Sequence, residues 1–267
     1  VRDGVVLPSA RGRHEPDREL LHQCIQHAAE QNIRVGAALV DLLPGVAADE
    51  AGDGQLASCC FEAVGVEHPP QVKTLKAAVV DRREAMQLLM GYNSFNGYIW
   101  NKLFDLQLIR ENDIRFHADY PACEDTMFVG SYLYHCSRVC VTEECLYCYR
   151  QVSGGANRGR YSGRKAYDPK WMSVFEMTEY MADLYKDDAV TAACRLHEVR
   201  EAGIVLRSME AAGYHGADPA RLKDILRRGA GLFFRDENSG RSQKLSVLLS
   251  CISPKLELAV WKLRNRK

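Results

Sequence analysis

The chain has 267 residues, with 35 Lys plus Arg balanced by 35 Asp plus Glu, so it carries no formal net charge. This balance argues against the basic field of a nucleic-acid-binding domain, and no nucleic-acid partner is expected. A hydrophobic share of 46% suits a globular protein with a substantial core, and no run of about 18 apolar residues predicts a membrane-spanning helix.

Hydrophobic periodicity predicts mixed helices and strands in the first 150 residues and helices thereafter. In chain order, we predict a helix over 17–31, a strand over 33–41 and a loop or irregular strands over 42–70. Residues 72–81 are ambiguous and could form a strand, and a helix follows over 82–90. We then predict a helical or turn segment over 98–109 and a strand over 114–116. Next come a helix that Glu124 and Asp125 open and that runs to 136, and strands over 138–142 and 145–150. Three longer helices follow over 171–184, 189–211 and 219–232, and then an apolar tail that Pro254 interrupts.

Ten cysteines occur, and four of them, at 136, 140, 145 and 148, fall within 13 residues. The cluster contains one C-x2-C pair, which zinc sites also use. Residues three apart on a strand point to opposite faces, however, so small buried thiols are the preferred interpretation and no metal site is expected in this chain. No apolar signal-peptide segment is visible, so we expect a cytoplasmic chain with reduced thiols.

Four motifs follow one another between residues 97 and 150. They are Trp100-Asn101-Lys102-Leu103, Ile114-Arg115-Phe116, Glu124-Asp125 with Phe128, and Leu146-Tyr147-Cys148-Tyr149-Arg150. This ordered set resembles the second half of family-two glycosyltransferases of the GT-A fold, bacterial enzymes that build capsule, lipopolysaccharide and other surface glycans. The resemblance covers residues 97–155, and it implies an α/β fold in which 1–155 form the acceptor-side part of the domain.

The family's other half is not recognisable in this sequence. That half is a Rossmann-like βαβ unit that binds the nucleotide-sugar and ends in an Asp-x-Asp motif. The chain contains no Asp-x-Asp, and 16 residues precede the first predicted helix, whereas a βαβ unit needs roughly 30. We therefore expect a partial, Rossmann-like GT-A domain without its donor-binding half, a basic Gly-rich linker or lid over 156–170, and a helical extension over 171–267.

Inverting sugar transfer needs a base for the acceptor hydroxyl and a group that stabilises the departing nucleoside diphosphate, usually a divalent metal. By resemblance, Asp125 is the base, and Glu124 orients it or contacts the acceptor. Adjacent carboxylates repel, which raises the pKa of one of them. On spacing alone a helix cap explains both acids better, and the resemblance reverses that preference. No cofactor is found in the chain, and Mg²⁺ or Mn²⁺ is implied for an intact parent protein.

Trp100, Asn101 and Lys102 are expected near the acceptor, because aromatic rings stack on sugars and amide and ammonium groups hydrogen bond to hydroxyls or phosphates. The alternative is a Trp100 packed in the core and a Lys102 on the surface. We prefer a structural Trp100, with Asn101 and Lys102 beside the cleft. Tyr149 and Arg150 are expected at the diphosphate or its lid, since Arg binds phosphate through a bidentate fork. A solvated linker after Arg150 is the alternative.

The apolar tail with its basic end could lie on a membrane surface or pack on the domain. Membrane contact would suit a lipid-linked acceptor at the inner face of the plasma membrane. The prediction is a cytoplasmic hexosyltransferase that moves a sugar from a nucleotide-sugar donor to a surface-glycan or lipid-linked acceptor. The alternative is a non-catalytic glycan-binding or scaffolding module, or an inactive fragment.

Overall fold

The computed structural model of the chain describes residues 54–64, 75–91, 95–150 and 167–264, without the side chains of Ala63, Val64 and Arg150. The predicted helix over 17–31, the predicted strand over 33–41 and most of the predicted linker, 156–166, lie outside these residues. In the described ranges, no helix is both long and apolar enough to cross a membrane.

Four strands form one mixed sheet in the order β2-β4-β1-β3. They are β1 (Leu56–Val64), β2 (Ala78–Val80), β3 (Lys102–Phe104) and β4 (Val139–Arg150). β1 and β4 run parallel, whereas β3 is antiparallel to β1 and β2 is antiparallel to β4. Because parallel strands end at the same edge, the carboxyl ends of the two long strands lie side by side.

Three helices accompany the strands: α1 (Arg82–Met90), α2 (Leu106–Glu111) and α3 (Glu124–Tyr134). The carboxylate of Asp81 caps α1 by accepting a hydrogen bond from the backbone N–H of Glu84 at 2.9 Å. Met86 and Leu89, three positions apart on α1, are buried with Met127 of α3 in the first hydrophobic core. Burial of their apolar side chains positions both helices on the sheet.

The remaining described residues are helical. They form α4 (Ser173–Tyr185), α5 (Asp188–Ala212), α6 (Asp218–Arg235), α7 (Arg241–Ile252) and α8 (Pro254–Arg264), with a short 3-10 helix, Pro169–Met172, before α4. Asp187 caps α5, and Gly213 ends it with a φ of 64°, a left-handed conformation that glycine adopts without strain. α5 joins two cores, because it contributes Cys194 to the first and Leu206 to the second.

The α/β class and the helical C-terminal part are confirmed. Other local predictions were wrong or incomplete. Residues 56–64, predicted within a loop or irregular strands, form the long strand β1 between β4 and β3, and its pairing with β4 contains register shifts. Pairing with these distant strands outweighs the weak β-propensity of Ala57 and Ser58. Residues 102–104, predicted within a helical or turn segment, form the strand β3. The two strands predicted over 138–150 are one strand, β4. The strand predicted over 114–116 was wrong, because among the described residues these three pair with no strand. The backbone N–H of Ile114 instead donates to the carbonyl oxygen of Ile109 in α2.

Candidate functional site

Five aromatic side chains meet near the carboxyl ends of β1 and β4. This aromatic cluster consists of Phe61, Tyr98, Trp100, Tyr147 and Tyr149, all of them half-buried. The ring of Trp100 is stacked on those of Tyr98 at 4.8 Å, Tyr147 at 4.6 Å and Tyr149 at 4.8 Å, and Phe61 meets it edge-on at 4.9 Å. A half-buried group of rings with phenol hydroxyls offers both apolar faces and hydrogen-bonding groups to a ligand.

Strand geometry explains how the cluster forms. Tyr147 and Tyr149 are two positions apart on β4 and therefore point to the same face of the sheet. Phe61 of β1 pairs in register with Tyr147, which brings its ring beside theirs. Trp100 reaches the same face from the loop before β3. The alternation of Tyr147 and Tyr149 was visible in the sequence, whereas the contribution of Phe61 was missed because β1 itself was not predicted.

The loop that carries Trp100 is organised around a buried ammonium group. Nζ of Lys102 donates to the carbonyl oxygens of Phe95 at 2.5 Å, Asn96 at 2.9 Å and Tyr98 at 2.8 Å, and to Oδ1 of Asn101 at 3.0 Å. Burial lowers the pKa of Lys102 to about 7, an effect that nearby negative charge opposes. The ammonium group therefore bonds mainly to the loop's own backbone.

Asn101 is also buried, and its Nδ2 donates to the carbonyl oxygen of Cys59 in β1 at 2.9 Å. This bond ties the loop to the sheet. The structure thus places both Asn101 and Lys102 beside Trp100, with hydrogen bonds inside the protein. Their contact with an acceptor stays a prediction. The alternative of a Lys102 on the surface was wrong, because its side chain is buried.

Glu124 and Asp125 form the first turn of α3. Glu124 is exposed and Asp125 is half-buried. Burial raises the pKa of Asp125, the neighbouring Glu124 raises it further, and Lys102 acts in the opposite direction. The predicted repulsion between the two carboxylates is therefore present, although burial has the larger effect. The N-cap residue of α3 is Cys123, which makes no side-chain capping bond, so neither acid occupies the cap position itself.

A close approach at Gly97 connects the Trp100 loop to this turn. A Cβ added at Gly97 would overlap the side chain of Thr126, the residue that follows Asp125. Only a residue without a side chain permits this packing. As a result, the aromatic cluster and the Asp125 carboxylate belong to one region of the molecule. Tyr149 lies in that region as part of the cluster, and the role of Arg150 at a diphosphate stays a prediction.

The clustered cysteines do not converge. Cys136 and Cys140 are buried, whereas Cys145 and Cys148 are exposed on β4, so the interpretation as small buried thiols was wrong for the latter two. Cys145 is instead the register partner of Cys60 in β1, and partial desolvation together with that neighbouring thiol raises its pKa. Across the ranges that the structure describes, no group of three or more His, Cys, Asp or Glu side chains is placed to hold a metal ion.

No protein-family model matches the sequence, and no curated protein matches it. Among solved structures, the chain is similar to three crystal structures of residues 1–349 of TarS from S. aureus. The structure with UDP-GlcNAc shares 11% identity over 90% of this chain and 65% of that chain, with a TM-score of 0.44. A second structure of the same TarS residues shares 11% identity over 89% of this chain and 64% of that chain, with a TM-score of 0.39.

The third structure, with UDP, shares 12% identity over 80% of this chain and 60% of that chain, with a TM-score of 0.31. The chain therefore spans less than two thirds of the length of these TarS structures. All three TM-scores lie below 0.5, so the function is inferred below from the chain's own residues.

Proposed function

We propose that the chain is the acceptor-side part of a family-two glycosyltransferase, which transfers a sugar from a nucleotide-sugar to a surface-glycan or lipid-linked acceptor. The observation that carries this proposal is the packing of the Trp100 loop on the first turn of α3 at Gly97. This packing brings a ring surface suited to a sugar and a carboxylate suited to proton transfer into one region. The ordered motifs between residues 97 and 150 support the same assignment.

In the proposed reaction, Asp125 accepts the proton of the acceptor hydroxyl. The freed oxygen forms a bond to the anomeric carbon of the donor sugar. The bond from that carbon to the nucleoside diphosphate breaks, and its electron pair leaves with the diphosphate, so the anomeric configuration inverts. A carboxylate whose pKa is raised is a stronger base than an ordinary aspartate and accepts the proton more readily.

The other residues support this step without taking part in bond making. Trp100, within the half-buried aromatic cluster, contacts the apolar face of the acceptor sugar. Lys102 and Asn101 maintain the loop that positions Trp100. Tyr149 and Arg150 are assigned to the diphosphate side by resemblance. The family's divalent metal finds no ligand group in the described ranges, so no step is assigned to it.

The test is a transfer assay on the whole natural polypeptide, with radiolabelled nucleoside-diphosphate sugars as donors. Asp125→Asn keeps the size of the side chain and removes the base, so we expect transfer to fall at least 1000-fold, on the order of what a lost catalytic base costs. Asp183→Asn, the same change at an exposed position of α4, is the matched control and should retain most of the activity. Full turnover by Asp125→Asn would remove Asp125 as the base.

A glycan-binding module without catalysis is the second candidate, and the half-buried aromatic cluster favours it as well. The two candidates differ in what Asp125 does. A binding module holds oligosaccharide with Asp125→Asn and loses it with Trp100→Ala, and it transfers no label from any donor. Binding is measured by titrating the protein with a panel of bacterial oligosaccharides while its tryptophan fluorescence is monitored.

For the lipid-linked acceptor, we place the reaction in the cytoplasm at the inner face of the plasma membrane. A soluble sugar acceptor would not require that location, so the acceptor class is tested by comparing transfer to a free oligosaccharide with transfer to the same oligosaccharide on a polyprenyl diphosphate. Equal rates for both would contradict the lipid-linked class.

A further inference from the structure

The last two described helices, α7 and α8, expose large apolar side chains although both pack against α5. The exposed residues, which we name the α7–α8 apolar face, are Leu245, Leu248, Ile252, Leu256 and Leu263. They are five of the twelve large apolar side chains exposed within the described ranges, and Ile252 and Leu263 are 65% and 63% exposed. Their recurrence on two consecutive helices that contact each other indicates an interaction site, whereas single scattered apolar residues are normal on a protein surface.

Helical spacing places these side chains opposite the packed side of each helix. Leu245, Leu248 and Ile252 lie three and four positions apart on α7, which is one helix face, while Val247 of the same helix is buried. Leu256 and Leu263 lie seven positions apart on α8, where Leu258 is buried. Each helix therefore has a packed side and an apolar exposed side. The C-terminal tail packs on the rest of the protein and also presents apolar surface, so packing on the domain does not exclude contact with a membrane.

The charges on the two helices are almost all positive. Residues 241–264 contain five cations, Arg241, Lys244, Lys255, Lys262 and Arg264. Their single acid, Glu257, is buried and forms an ion pair with Arg207 of α5 at 2.7 Å. The nearest acids before them, Asp236 and Glu237, precede the start of α7. The exposed surface of α7 and α8 therefore combines apolar side chains with the positive charge of their own residues.

Two of the cations are placed beside the apolar residues of α8. Lys255 and Lys262 directly precede Leu256 and Leu263, and both are exposed. Adjacent helix positions are separated by about a quarter of a turn, so each ammonium group flanks an apolar side chain. This arrangement matches the boundary of a bilayer, where acyl chains lie below and anionic head groups lie beside them.

We propose that the α7–α8 apolar face docks on an anionic lipid bilayer, with its apolar side chains at the head-group boundary and Lys255 and Lys262 beside lipid phosphates. A second copy of the chain is the other occupant to consider. Self-association would bring two positively charged surfaces together, which charge repulsion disfavours, whereas an anionic bilayer attracts both helices. The inference does not depend on sugar transfer, because it rests on exposure and charge alone.

The binding test is co-sedimentation of the full chain with phosphatidylcholine vesicles that contain or lack phosphatidylglycerol. We expect binding to the anionic vesicles and much less binding to the neutral ones. Added salt should weaken the interaction, because the Debye length shortens from about 10 Å at 0.1 M to about 3 Å at 1 M. Equal binding to both vesicle types, or no binding to either, would overturn the proposal.

Paired variants locate the contact. Lys255→Gln with Lys262→Gln should weaken binding roughly 30-fold, since each cation near an anionic surface contributes about a fivefold effect. Arg227→Gln with Arg228→Gln on α6 makes the same charge change elsewhere and should have little effect. Leu248→Asp with Ile252→Asp should abolish binding, whereas Leu146→Asp, an exposed residue of β4, should not.

Each variant is first checked for an unchanged unfolding temperature, so that a loss of binding reports on the surface. Light scattering tests the second copy. If the protein bound no vesicles and formed a dimer that Leu248→Asp with Ile252→Asp dissociates, the face would be assigned to self-association. That result would overturn the bilayer proposal. The bilayer proposal would also be overturned if the lysine pair variant and the Leu248→Asp with Ile252→Asp variant both still bound vesicles.

Discussion

The indole of Trp100 lies almost parallel to the phenol ring of Tyr149, with centroids 4.8 Å apart and an interplanar angle of 8°. Trp100 comes from a loop before β3, and Tyr149 comes from the end of β4. The stack therefore ties the loop to the sheet through aromatic contact in addition to the hydrogen bond of Asn101. Stability and ligand binding should both depend on it.

Replacing Trp100 tests this dependence. Trp100→Ala removes the ring that touches the four other members of the aromatic cluster. We expect a loss of about 2 kcal/mol in the free energy of unfolding, less than for a fully buried tryptophan. Trp100→Phe should recover at least half of it. Urea unfolding measures both, and an unchanged midpoint for Trp100→Ala would show that the stack contributes nothing.

Asp125→Asn should stabilise the protein at neutral pH. Folding raises the pKa of Asp125 above its ordinary value of 3.8, so the folded state binds more protons than the unfolded state between the two pKa values. The contribution of Asp125 to stability therefore falls as pH rises through that window. The amide carries no such cost, so we expect Asp125→Asn to be more stable than the unsubstituted protein at pH 7. The gain should vanish below pH 3.8, and thermal unfolding across pH checks it.

Gly97 and Gly231 form a matched pair. Gly97→Ala forces a Cβ into the side chain of Thr126, so it should cost about 2 kcal/mol and displace the Trp100 loop from α3. Gly231 lies within α6, and the nearest atom to its added Cβ is 3.8 Å away. Gly231→Ala should therefore stabilise by about 0.5–1 kcal/mol through helix propensity. The same sign for both substitutions in urea unfolding would contradict the close approach.

Lys102→Met should be strongly destabilising. The thioether fills the space of the side chain but leaves the carbonyl oxygens of Phe95, Asn96 and Tyr98 without this donor. We expect a loss of about 3 kcal/mol, because unsatisfied buried polar groups are costly. Lys223→Met, at an exposed position of α6, should change stability by less than about 0.5 kcal/mol. Similar midpoints for the two variants would refute the organising role of Lys102.

Arg207 and Glu257 join α5 to α8 through a buried ion pair. Glu257→Ala leaves the guanidinium group buried without its partner and should cost about 3–5 kcal/mol. Replacing both by methionine should cost much less, because no charge remains buried. Glu179→Ala, which breaks the exposed pair with Arg221, should cost at most about 1 kcal/mol. Unfolding free energies of the three variants give the comparison.

Helix positions were predictable because their determinants are local. The helix expected over 189–211 is observed as Asp188–Ala212, and the one expected over 219–232 as Asp218–Arg235. Caps such as Asp187 and apolar spacing of three and four positions act within a few turns. The motif residues of the candidate site were also identifiable, since Trp100, Asp125 and Tyr149 stand in an ordered set of short motifs.

The arrangement of these elements depended on contacts between distant parts of the chain. Ala57 and Ser58 have no strong preference for a strand, and β1 forms because β3 and β4 supply its hydrogen-bonding partners on either side. The same parallel pairing sets Phe61 beside Tyr147 and gives Trp100 a surface on which to stack. Whether a lysine beside a tryptophan is exposed or surrounded by carbonyl groups follows from how a loop closes over it. The conformation of that loop depends on contacts between residues distant in sequence, so local residue preferences do not predict it.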